Sequence, residues 1–98
     1  MKVIVDNDIS ILKEKNCYFL FYFTASWCGP CQKIKPLLEK LSEGLDSSKI
    51  EIYMIDIDDN EEIVDHYKIR SVPKFMLFHN EQLLDQCGGA ILRISIDY

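Results

Sequence analysis

The sequence predicts an α/β protein, a mixed β-sheet flanked by helices, and three observations carry that prediction. Two segments, 18–23 (YFLFYF) and 75–78 (FMLF), are apolar without a break, as strands covered on both faces are. A third, 50–57 (IEIYMIDI), is rich in β-branched and aromatic residues. Between the first and third, Ile34, Leu37, Leu38, Leu41 and Leu45 recur at helical spacing and mark one apolar stripe.

The remaining elements follow in order. Residues 2–5 suit a short strand and 9–15 a helix. The strand at 18–23 runs into the stretch TASWCGPCQK and then into the striped helix. Pro36 removes a backbone donor inside that helix and is expected to kink it. The acidic run Asp58-Asp59-Asn60-Glu61-Glu62 suits the cap and first turn of a helix over 61–67, facing the positive end of its dipole. A calcium loop is excluded there, because Glu61 stands where the loop needs Gly and Tyr67 where it needs Glu. After 75–78, His79-Asn80-Glu81 links to a strand over 82–87, a hairpin. The order is β-α-β-α-β-α-β-β plus a tail, with no linker or repeat, so one domain over 1–98 is expected.

Composition narrows the function. With 48% hydrophobic residues, a chain of 98 residues can bury a core without obligatory staples. A net charge of −5 argues against nucleic-acid binding, which depends on phosphate neutralisation by Lys and Arg. No window reaches the roughly 18 apolar residues of a membrane span. The opening MKVIVDND carries acids where a signal peptide needs an apolar stretch, so a reducing cytoplasmic compartment is expected.

Cys28 and Cys31 stand at the start of the striped helix, separated by Gly29 and Pro30 and preceded by Trp27. Unpaired backbone N–H groups at a helix start favour an anion, so the Cys28 thiol is expected to ionise below its usual value of about 8.5. Cys31 lies nearly one turn on, which lets the two sulfurs approach. Cys28, the exposed sulfur, would attack a partner's disulfide, and the sheltered Cys31 would resolve the mixed disulfide. A zinc site needs a second ligand pair. Cys17, Cys87, His66 and His79 supply none at ligand spacing, and the histidines are expected to face solvent. A purely structural disulfide of this ring size would remove little unfolded-state entropy.

The run FTASWCGPCQKIKP resembles the active-site segment of the thioredoxin family, with Trp27, Cys28, Gly29, Pro30, Cys31 and Pro36 on the family pattern. IRSVPKFMLF resembles the family's second signature, and Gly89-Ala90 its third. The resemblance implies a thioredoxin fold with Cys28 as nucleophile and Cys31 as resolving thiol. It implies a cis Pro73 beside the disulfide, with the Val72 backbone pairing to an extended substrate. Trp27, Gly29, Pro30, Val72 and Gly89 would form the flat surface around Cys28. It further implies protein disulfides as substrates, no bound cofactor or metal, and reducing equivalents from NADPH through a flavoenzyme reductase. The protein is expected to act as a monomer with weak self-association. A disulfide oxidase or isomerase, and an interaction module with residual redox activity, are the other readings of the same residues.

Two departures stand out. Tyr22 occupies the family's buried Asp position, and Met54 the position of its partner Lys. Replacing both members of a buried ion pair by uncharged groups can be neutral or stabilising, whereas losing one is costly. The resemblance implies that this Asp helps deprotonate the resolving cysteine; here water or a neighbouring acid is expected to do so more slowly, or Tyr22 to supply only a hydrogen bond. After Ala90 the remaining ILRISIDY is shorter than the family's last helix, and a shortened helix is expected there.

Overall fold

A computed structural model describes residues 1–88 of the chain. Five strands form one mixed sheet: β1 (Lys2–Val3), β2 (Tyr18–Thr24), β3 (Ile50–Asp56), β4 (Lys74–His79) and β5 (Gln82–Gly88). Their spatial order is β1-β3-β2-β4-β5. The central β2 runs parallel to β3 and antiparallel to β4, β1 lies parallel to β3, and β5 is antiparallel to β4. Helix α1 (Gly29–Glu43) connects β2 to β3, and α2 (Glu61–Tyr67) connects β3 to β4. Among the described residues no helix is long and apolar enough to cross a membrane.

The unbroken apolar run of β2 has its reason in this order. As the middle strand it is covered on both faces, and all its residues after Tyr18 are buried. Side chains alternate across the sheet. Phe19, Phe21 and Phe23 enter one cluster with Ile55, Ile63 and Phe78, while Leu20 and Tyr22 enter another with Ile52, Phe75 and the inner face of α1.

That inner face differs from the expected stripe. Cys31, Ile34 and Leu38 are the buried residues of α1, whereas Leu37 and Leu41 are 65% and 53% exposed. Each residue advances a helix by about 100°, so a face set by Cys31, Ile34 and Leu38 turns Leu37 aside, and Leu41 stacks one turn beyond it. The helix runs through Pro36, which lies on its exposed side.

The first strand is shorter than expected, and residues 9–15 contribute only a 3-10 turn over Ser10–Lys13. Asp8 holds that turn, accepting from both the amide and the hydroxyl of Ser10. The cap of α2 also differs from expectation. Glu61 and Glu62 sit in the first turn, but the N-cap residue Asn60 makes no side-chain capping bond. Its buried amide instead donates to the carbonyls of Ile4 and Asp56 and accepts from the Asn7 amide, and the Asn7 side chain in turn accepts from the Ile63 amide. Asn80 and Glu81 close the β4–β5 hairpin with φ of 50° and 66°, the left-handed pair that matches strand twist in a two-residue turn. His66 is exposed, but His79 is half-buried, stacked on Tyr18 at 4.2 Å.

Candidate active site

Cys28 ends the loop after β2 and is the N-cap residue of α1, with extended backbone (φ −89°, ψ 107°). The turn before it is pinned at one atom: the Ala25 carbonyl accepts from the Cys28 amide at 3.1 Å and from Gln32 Nε2 at 2.9 Å. Pro30 fits the first turn because the amide it lacks would have had no helical partner. Cys28 and Cys31 form a disulfide with Cα atoms 5.3 Å apart, inside the usual range for such bridges.

Two backbone groups face Cys28 Sγ with opposite preferences for its charge. The Cys31 amide donates to it at 3.2 Å, and the Val72 carbonyl oxygen lies 3.8 Å away. An amide aimed at sulfur at a helix start stabilises a thiolate, and a carbonyl facing the same sulfur can accept from the protonated thiol. Cys28 is 6% exposed and Cys31 fully buried. The expected exposed sulfur is therefore only marginally open, and accessibility rests on the neighbours: Trp27, Gly29 and Pro30 are exposed.

The Val72–Pro73 bond is cis, with Pro73 buried and Val72 half-buried. The structure thus brings Cys28, Cys31 and Val72 together, with Trp27, Gly29, Pro30 and Pro73 as their immediate chain neighbours. Gly89 and Ala90, and the expected shortened helix after them, lie outside the described residues. Cys17 is a buried free thiol and Cys87 a half-buried one. Among the described residues no cluster of His, Cys, Asp or Glu could hold a metal ion.

Sequence reasoning missed two supports of the site. Asp58, read only as part of an acidic run, accepts from Trp27 Nε1; its signal was its place just after a strand parallel to β2. Gln32 carried no pattern that could have revealed its bond to Ala25.

The site is thus a helix-capping cysteine pair, joined as a disulfide, on a mixed α/β sheet. Residues 3–96 match the family model described as Thioredoxin, and the chain belongs to the thioredoxin family. A thioredoxin of Ictalurus punctatus is 41% identical over 68 residues, 69% of this chain and 64% of that protein. One of Porphyra purpurea is 32% identical over 94 residues, 96% of this chain and 79% of that protein. The chain spans just under two thirds of the Ictalurus protein and of a Malassezia sympodialis thioredoxin, 64% and 65% of their lengths. Among solved structures, the Malassezia sympodialis thioredoxin superposes with a TM-score of 0.82 at 32% identity, covering 93% of this chain and 80% of that one. The Fasciola hepatica thioredoxin gives 0.82 at 30% identity, covering 93% and 88%.

Proposed function

We propose that the chain is a protein-disulfide reductase that carries electrons to partner disulfides through the Cys28–Cys31 couple. The observation that carries this reading is the capping geometry: a sulfur receiving the Cys31 amide at the start of α1, with a second sulfur in bonding reach. The Cys28 thiolate attacks one sulfur of a partner disulfide, forming a mixed disulfide and releasing the other partner sulfur as a thiolate. Cys31 then attacks Cys28, expelling the remaining partner thiolate and leaving the intramolecular disulfide.

Val72 offers its backbone beside Cys28, and an extended partner segment can add there as a strand. Trp27, Gly29, Pro30, Pro73 and Gly89 complete the docking surface in this reading. The chain needs no bound cofactor. An NADPH-dependent flavoenzyme reductase recharges it, and it works as a cytoplasmic monomer in redox homeostasis. Family membership supports these assignments.

Dithiothreitol-driven insulin reduction tests the reading. The wild type should accelerate precipitation of the insulin B chain and Cys28→Ser should not. An inactive wild type would leave only the interaction-module reading. A reduction potential above roughly −200 mV, against the family's reference value of about −270 mV, would mark an oxidant instead.

A further inference from the structure

We infer that Tyr22 is the positioning residue of the resolving cysteine: its buried hydroxyl, donating to the Cys31 carbonyl, fixes the turn from which Cys31 attacks. The inference rests on the exchange reading above and adds to it the part that orients the second step.

The hydroxyl lies 2.6 Å from the Cys31 carbonyl oxygen. Tyr22 is fully buried in the middle of β2, opposite Met54 on β3 and Phe75 on β4. Its ring stacks on Phe75 at 5.2 Å and 19°. A phenol held on both sides by neighbouring strands delivers its hydroxyl to one place, and that place is the backbone of the resolving residue.

Cys31 needs such an anchor. Once a partner is bonded to Cys28, the bridge that ties the two sulfurs is open, and the aim of Cys31 depends on how its own turn is held. The helix ladder is weakened just beyond it, because Pro36 has no amide to give the Gln32 carbonyl. Gln32 Nε2 ties the outer side of this turn to Ala25, and Tyr22 ties the inner side to the sheet.

Tyr22 also keeps its proton. Burial pushes its phenol above the ordinary value, and the Thr24 hydroxyl beside it offsets this only in part. The group therefore remains a donor wherever thiol exchange is fast, and it takes up no charge in the reaction. In the resolving step the Cys31 sulfur, as thiolate, bonds to Cys28 Sγ. The bond from Cys28 to the partner sulfur breaks, and the partner leaves with the electron pair.

The test uses 5,5′-dithiobis(2-nitrobenzoate) with reduced protein in a Cys17→Ser, Cys87→Ser background, so that only the pair reacts. Release of the first thionitrobenzoate reports attack by Cys28, and release of the second reports resolution by Cys31. Tyr22→Phe keeps the ring and removes the hydroxyl. The second phase should slow about five-fold, equivalent to about 1 kcal/mol in the barrier. The first phase and its pH profile should not change. Phe19→Leu, which opens the core on the opposite face of the sheet, controls for stability and should leave both phases at the parent rate. An unchanged second phase in Tyr22→Phe overturns the inference, as does equal slowing of both phases, or a second phase slowed to the same degree by Phe19→Leu. Absence of any second release in the parent protein would instead overturn the exchange reading itself.

Discussion

Trp27 Nε1 donates a hydrogen bond to Asp58 Oδ2 at 3.0 Å, joining the residue before Cys28 to the loop after β3. The indole is 67% exposed, so little else restrains it. Asp58→Ala should free the ring, lowering the steady-state fluorescence anisotropy of this single tryptophan. Global stability should shift by no more than about 0.5 kcal/mol, as for most surface changes. Asp58→Asn retains an acceptor oxygen and should restore most of the anisotropy. Equal anisotropy in all three proteins would mean that the bond does not hold the ring.

Asn60 should matter far more to folding than to redox chemistry. Its side chain joins Ile4, Asn7 and Asp56 in a buried network. Asn60→Ala should cost about 2–3 kcal/mol in urea unfolding, since it orphans buried backbone groups. Asn60→Asp should cost at least as much at neutral pH, because a carboxylate cannot donate to the Ile4 and Asp56 carbonyls. A loss below about 0.5 kcal/mol in both variants, the level of an ordinary surface change, would refute the network's role.

Alkaline pH should destabilise the fold. Burial raises the phenols of Tyr22, Tyr53 and Tyr67 above the ordinary 10.0. A group whose folded value is raised contributes stability that is complete below its unfolded value and disappears as pH climbs through the folded one. Cys17, also raised by burial from 9.0, starts the decline earlier. Urea midpoints should therefore be flat toward neutral pH and fall from about pH 9 upward, the onset of thiol and phenol ionisation. Tyr67→Phe should flatten that fall; a slope identical to wild type would remove Tyr67 from the account.

The legible parts of this protein were those with strong local causes. The run YFLFYF announced the central strand because a strand covered on two faces admits no polar alternation. The Cys28 cap was legible because a short C-x-x-C step opening an amphipathic helix leaves few other geometries. The stripe of α1 was read two positions too generously: Leu37 and Leu41 have the right chemistry, but Cys31, Ile34 and Leu38 already define the inward side. The Asn60 network stayed hidden because its partner Asn7 is distant in sequence, and an asparagine before a helix ordinarily signals a cap. The Tyr22 hydroxyl was foreseen as a hydrogen bond, but its recipient depended on how α1 lies against the sheet.

The placement of β2 also has a consequence for biosynthesis. Its partner β3 follows after one helix, but its other partner, β4, follows only after α1, β3 and α2. As the chain leaves the ribosome, the most aromatic strand therefore waits with one hydrogen-bonding edge open. An unpaired apolar edge of this kind is what holdase chaperones bind and what aggregates extend from. Arrival of the C-terminal hairpin closes it, so nascent-chain solubility should turn on β4 more than on any earlier element.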